Sequence, residues 1–345
     1  MSGVRRRRRI DLALQGGGAH GAFTWGVLDR LLEDERIEID ALSGASAGAM
    51  NAVVLASGLQ DGGRSGAREA LRRFWSRVSR GAGSAGGAFA GLFGDWRLAG
   101  PPLAWYADWM PRALSPYQLN PFDLNPLRDI LREEVDFERL RATPGPRLFV
   151  SATQVRTGRL REFRRAELTA DAVLASACLP MLFRAVVIEG EAYWDGGYVG
   201  NPSLLPLIAE SPAHDLVLVQ INPSRRDEVP TSSRDILDRL NEITFNASLV
   251  KELRSIALIR RLLDLEGPMP AGSRSPLFEQ VAALRTHRIH AEAELSRLGA
   301  DSKLDPTWPV VSRLHRIGRD AADRWLADNV AHLGRRSTMR LDEYL

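Results

Sequence analysis

Apolar positions along this chain recur at two spacings, and the alternation between them outlines its architecture. Residues 10–14 and 37–42 are short apolar runs that read as strands, and each leads through a glycine turn into a helix. After the first, Phe23, Val27, Leu31 and Leu32 fall at helical spacing; after the second, residues 49–56 form an apolar helix. Residues 58–66 are glycine-rich and read as a loop, followed by a helix over 67–78 with Leu71, Phe74, Trp75 and Val78 on one side. A helix is predicted over 123–134. Residues 147–155 read as a core strand, with 159–163 as its partner after a Thr157-Gly158 turn. Residues 169–177 are helical, and 185–188 with 192–194 form a hairpin about Gly190. The continuous apolar run 215–223 has the character of a buried sheet strand. Strands alternating with helices predict an α/β fold with a mainly parallel central sheet flanked by helices.

The texture changes after Pro223. Strands are expected to disappear, and helices are predicted over about 232–265, 276–298 and 310–333, separated by Pro268, Pro270, Pro276, Pro306 and Pro309. The division expected is a basic tail (1–9), an α/β catalytic domain (10–223) and a helical C-terminal region (224–345) packed on the body. Residues 81–121 are irregular and aromatic, with Phe89, Phe93, Trp96, Trp105, Tyr106 and Trp109. Two readings stand for them: a helical insertion packed on the body, or a lid or lipid-facing patch.

Composition narrows the class. With 345 residues, 44% of them apolar and 26% charged, the chain can bury a large core. Its 46 basic residues barely exceed its 43 acidic ones, and five of them form the run Arg5 to Arg9. A nucleic-acid surface over the body is therefore not expected. The arginine run reads as a solvated tail, with attraction to anionic lipid as the alternative. No apolar run approaches the roughly 18 residues of a membrane span. A single cysteine, Cys178, offers neither a disulfide nor a cysteine metal cluster. The expected location is cytoplasmic, with peripheral contact at the inner membrane surface; no metal or cofactor is called for, and the oligomeric state is left open.

The chemistry concentrates in two turns. Gly44-Ala45-Ser46-Ala47-Gly48, between strand and helix, has the spacing of a nucleophile elbow, whose tight turn thrusts the serine hydroxyl outward. Gly16-Gly17-Gly18-Ala19-His20-Gly21 ends the first strand and can present bare backbone N–H groups to an anion. Removing one oxyanion donor typically costs about 3–4 kcal/mol, against about 0.3–1 kcal/mol for a helix dipole. The glycine loop is thus the larger electrostatic element. Gly16, Gly18 and Gly21 also satisfy a dinucleotide-binding fingerprint, with Asp40 where a ribose-binding acid would stand. The serine elbow that follows at once argues against that reading.

An ordinary α/β-hydrolase triad needs a histidine, and its serine comes after several strands. Position 46 is too early, and His214, His287, His290, His315 and His332 lie in unpromising places, while His20 sits inside the glycine loop. A carboxylate base is the alternative. Asp195 follows a strand, although Asp-Gly is also a favoured turn pair.

Taken together, the glycine loop, the elbow, the run Ala175-Ser176-Ala177-Cys178-Leu179-Pro180, and Asp195-Gly196-Gly197 followed by Asn201-Pro202 resemble the patatin-like phospholipase family over roughly residues 8–222. The resemblance implies a three-layer patatin-like sandwich and a Ser46–Asp195 dyad acting without histidine. Gly17, Gly18 and Ala19 would form the oxyanion hole. Gly16, Gly21, Gly44, Gly48, Gly196 and Gly197 would shape the turns, and no metal or cofactor is implied. It implies hydrolysis of phospholipids or other acyl-ester lipids through an acyl-serine; the alternative is a catalytically weak lipid-binding or regulatory protein of the same fold. His20 departs from the Arg or Lys that many members carry. The helical region after Pro223 lies outside the resemblance.

Overall fold

In β1 (Arg8–Leu14), the side chains of Ile10, Leu12 and Leu14 turn to one face and Ala13 to the other, and every residue from Ile10 onward is buried. A strand buried on both sides needs cover on both. The computed structural model, which describes residues 7–83, 115–120, 123–267, 274–298 and 300–345, shows that cover as three layers. The sheet contains β1, β2 (Ile37–Gly44), β3 (Arg147–Gln154), β4 (Leu160–Arg164), β5 (Val186–Ile188), β6 (Glu191–Asp195), β7 (Asp215–Val219) and β8 (Arg285–Ile289). Their order is β5-β6-β3-β2-β1-β7-β8, with β4 also paired to β3. The five-strand stretch from β3 to β8 is parallel; β4, β5 and β6 pair antiparallel.

Against one face lie α1 (Gly21–Glu33), α2 (Ala47–Gly83) and α3 (Ala170–Ser176), joined to Ile10, Leu12, Leu42, Val150 and Val217 in one apolar cluster. The other face, with Ala13, Ala41, Phe149, Leu216 and Leu218, packs on the helix Leu205–Glu210 and on Leu249, Leu253 and Ile256 of α4 (Ser233–Glu266). Helix starts are written locally: the side chains of Thr169 and Ser232 cap α3 and α4, accepting from the N–H groups of Ala172 and Asp235 at 3.1 Å each.

Several expectations need correction. The helix predicted over 276–298 is a short helix, Pro276–Ala283, followed by β8, which extends the sheet parallel to β7, and then a turn at Glu292–Leu295. Strands therefore do not disappear after Pro223. The third predicted C-terminal helix is α5 (Trp308–Asn329), whose Val311, Leu314, Ala321 and Trp325 enter the same apolar cluster as α1 and α2. Residues 58–66 are a loop only at Gly62 and Gly63, where the two helical arms of α2 meet at a break. A Cβ on Gly58 would stand 2.6 Å from the Cα of Ala67, so these glycines serve close contact of the two arms. The first strand begins at Arg8, two residues into the expected tail. Most of the 81–121 insertion, with its lid reading, lies outside the described residues.

β1 sits between β2 and β7, so the chain leaves it toward one side of the sheet first and returns on the other later. The carboxyl end of β1 is thereby a topological switch point, where open α/β sheets place their crevice.

Candidate active site

Three strand ends meet at that crevice. β1 leads into the glycine loop, β2 into the elbow, and β7 toward Asn222. The fourth contribution is antiparallel. Gly44 pairs with Val150 on β3, and Asp195, the last residue of β6, pairs with Ala152, two residues further along β3. This register carries Asp195 across to the elbow from a position 149 residues later in the chain. Ser46, Asp195, Gly17, Gly18 and Ala19 all line one cavity of about 430 Å³, whose walls are otherwise mostly apolar and include Met50, Phe74, Trp75, Leu182 and Phe183.

Ser46 holds φ at 53°, a left-handed conformation that side-chain-bearing residues rarely adopt, as a nucleophile elbow requires. Its N–H donates to Ser176 Oγ at 2.9 Å and to the Ser176 carbonyl at 3.1 Å, fixing the elbow to the end of α3. Gly48 allows the turn to press on β1: a Cβ there would lie 2.2 Å from the Leu14 carbonyl oxygen. Gly44 is packed against Gly48 and Ala49 in the same way.

Asp195 is fully buried. Its N–H donates to the Cys178 carbonyl at 2.8 Å, and its own carbonyl accepts from Thr153 Oγ1 at 2.7 Å. One carboxylate oxygen, Oδ1, accepts from the Gly197 N–H at 2.6 Å. Oδ2 has no hydrogen-bond partner within standard geometry. The neighbouring Ser46 hydroxyl favours the charged form without closing a full bond to that oxygen. Burial dominates: it pushes the Asp195 carboxyl up to about 7, against the opposing pull of the Gly197 N–H and the Ser46 hydroxyl. Gly196 packs against the Ser151 carbonyl, which holds the turn after Asp195 close to β3.

The glycine loop is clamped from several sides. The Gly16 N–H donates to Asn201 Oδ1 at 2.7 Å, and the Gly16 carbonyl accepts from Asn222 Nδ2 at 3.1 Å. Gln15, fully buried, accepts from the N–H groups of Ile221 and Asn222 at 2.9 and 2.8 Å and donates to Asn246 Oδ1 on α4 at 2.7 Å. Gly18 has φ of 58° and lies under the Lys303 carbonyl, where a Cβ would meet oxygen at 2.3 Å. Gly17, Gly18 and Ala19 line the cavity together with Ser46, with the loop turning into a short 3-10 turn at Gly18–His20. Gly21 begins α1, its carbonyl accepting from Asn51 Nδ2 at 3.0 Å.

No histidine lines the cavity among the described residues. His20 is buried against Ser302 Oγ at 2.7 Å, and burial, reinforced by nearby Lys303, pushes it down to about 3, so it is neutral. His287 lies in β8 on Asp215 and Thr338, and His315 stacks on Trp25. Asp40, the ribose-binding candidate, is held by Arg147 and Ser211. Cys178 is buried, its thiol donating to the Arg184 carbonyl at 3.1 Å, as a packed residue would. The expected residues thus converge, while Gln15, Asn222, Asn246 and Lys303 had no place in the sequence reading. The one available signal was a polar residue at the carboxyl end of an apolar strand, which Gln15 and Asn222 both are.

The chain belongs to the patatin-like phospholipase family, whose profile matches residues 12–208. The family marks it as a lipid acyl hydrolase. Among solved structures, a match to VipD from Legionella pneumophila has a TM-score of 0.38 and 17% sequence identity, covering 93% of this chain and 67% of that one. No curated protein matches.

Proposed function

We propose that the cavity hydrolyses carboxylic esters of lipids through a Ser46–Asp195 dyad and an acyl-serine intermediate. The observation that carries this reading is the convergence of an elbow serine, a buried aspartate with one unsatisfied oxygen, and the glycine loop on one apolar cavity. Ser46 Oγ attacks the ester carbonyl while Asp195 Oδ2 takes its proton. The N–H groups of Gly17 and Gly18, with Ala19, receive the oxyanion. Collapse of the tetrahedral intermediate expels the alcohol, which leaves with the proton from Asp195. Water then attacks the acyl-serine, with Asp195 again as base, and the fatty acid is released. An aspartate of ordinary proton affinity is a poor base for a hydroxyl; one raised toward neutrality is better matched.

The mouth supports a lipid substrate. Met181 and Tyr198 line the cavity and are also exposed, 57% and 38% accessible, so apolar surface runs from solvent into the site. Acyl chains drawn from a membrane surface would follow that path, which agrees with peripheral contact rather than insertion. No described helix is long and apolar enough to cross a membrane.

The test is fatty-acid release from phospholipid vesicles and neutral esters, run beside fluorophosphonate labelling. Ser46→Ala is expected to abolish labelling and to lower turnover by roughly 10³-fold or more. Labelling that persists in Ser46→Ala, or full turnover in Asp195→Asn, overturns the respective assignment. Vesicle binding without release would favour the lipid-binding alternative.

A further inference from the structure

The cavity is apolar apart from a few groups, and among the described residues lining it the single cationic side chain is Lys303. Lys303 lies in the short turn Ala300–Leu304, outside the segment that the family profile matches. Its ammonium donates to Asn222 Oδ1 at 2.7 Å and to Asn241 Oδ1 at 3.2 Å. Both acceptors are neutral amides, which leaves one N–H of the ammonium without an acceptor among the described residues. Among the described residues no carboxylate approaches within salt-bridge distance there. Glu242 and Asp238 on α4 contribute negative field from further off, Arg226 opposes them, the neighbouring His20 is neutral, and Glu242 is already engaged by Arg226 and Arg239. Burial pushes Lys303 down to about 8, so it still carries charge at neutral pH.

An ammonium held by neutral amides beside an apolar cavity, with no carboxylate at salt-bridge distance among the described residues, keeps a charge that an arriving anion can pair with. Its place is also fixed relative to the chemistry. Asn222 accepts from Lys303 and donates to the Gly16 carbonyl, so one side chain links the cation to the oxyanion loop. The Lys303 carbonyl meanwhile rests on Gly18. A substrate whose ester carbonyl occupies the loop would have a nearby anionic group drawn to this ammonium.

We propose that Lys303 is a specificity-determining residue, binding the phosphate of a phosphate-bearing acyl ester and favouring such esters over neutral ones of the same acyl chain. This rests on the reading of Ser46 as nucleophile, and the experiment separates the two. Rates are measured on a lysophosphatidate and on the monoacylglycerol with the same acyl chain, both below their aggregation limits. Inorganic phosphate is then added as a competitor against the neutral ester.

The wild type is expected to prefer the phosphate ester by about tenfold or more, as charge-assisted recognition allows. Phosphate should inhibit neutral-ester hydrolysis competitively. Lys303→Met should lower kcat/KM for the phosphate ester about tenfold more than for the neutral one and abolish phosphate inhibition. Lys303→Arg should retain the preference. A wild type that turns over both esters equally overturns the proposal while leaving the nucleophile in place. An equal loss on both substrates in Lys303→Met also overturns it, since Lys303 would then serve the fold or the reacting centre. Phosphate inhibition without substrate preference would assign the site to a free anion and reject the headgroup. The wild-type measurements decide the matter even if Lys303→Met does not fold. Failure of the nucleophile reading would appear separately, as turnover and labelling that survive Ser46→Ala.

Discussion

At the scale of single residues, the site turns on how burial treats two charged groups. Asp195 is raised by burial to about 7, and in the proposed mechanism it must be deprotonated to act as the base. Hydrolysis is therefore expected to climb with pH and level off above about 7, in a kcat/KM profile on a soluble ester. The same shift has a stability consequence. The folded state holds the Asp195 proton to higher pH than the unfolded chain, whose carboxyl has its ordinary 3.8. This group's contribution to stability is whole below about 4 and lost as pH rises through about 7. Asp195→Asn, which never ionises, should melt above wild type at about pH 8, with the gap closing toward about pH 4. The positions of Ser46, Asp195 and the glycine loop at the cavity were legible in sequence because each turn needs small residues beside it, and those leave a local pattern. Lys303 leaves none, and Gln15 and Asn222 leave only a polar residue at the end of an apolar strand. Their meaning comes from partners as far away as the 231 residues between Gln15 and Asn246.

At the scale of elements, the clearest departure is the end of the chain. β8 reads Arg-Thr-His-Arg-Ile, with no apolar alternation, yet Thr286 and His287 are buried. They are satisfied by hydrogen bonds: His287 to Asp215 and Thr338, and Thr286 Oγ1 to the Met339 carbonyl. A strand stabilised in this way is invisible to hydrophobic periodicity. By contrast β1, β2, β3 and β7 are apolar enough to be read directly. The pairing of α1 with α5 depends on two glycines facing one another. A Cβ on Gly26 would stand 2.0 Å from the His315 carbonyl oxygen, and one on Gly318 2.0 Å from that of Phe23. Gly26→Ala would gain about 1 kcal/mol in helix propensity. Overpacking against backbone outweighs that gain, and a net loss of about 2 kcal/mol or more is expected in urea unfolding. Around this contact Asp29 of α1 is gripped by His315, Arg68 and Arg319, which together outweigh its burial and hold its carboxyl well below the usual range.

At the scale of the whole molecule, residues beyond Pro223 furnish a sheet strand, part of the apolar core on both faces, and one wall of the cavity. A chain stopped at Pro223 would expose Val217, Val219 and the α5-facing side of α1. It is expected to lack a cooperative thermal transition and the near-ultraviolet dichroism of packed tryptophans. The contact of Gly26 with His315 also sets a timetable for the making of this protein. His315 follows Gly26 by 289 residues, so α1 cannot meet α5 until that stretch has been made, although its contacts with α2 can form earlier. The cavity wall formed by Lys303, Leu304 and Pro306 arrives only shortly before α5, so a nascent chain cannot present the complete cavity until its helical end has emerged.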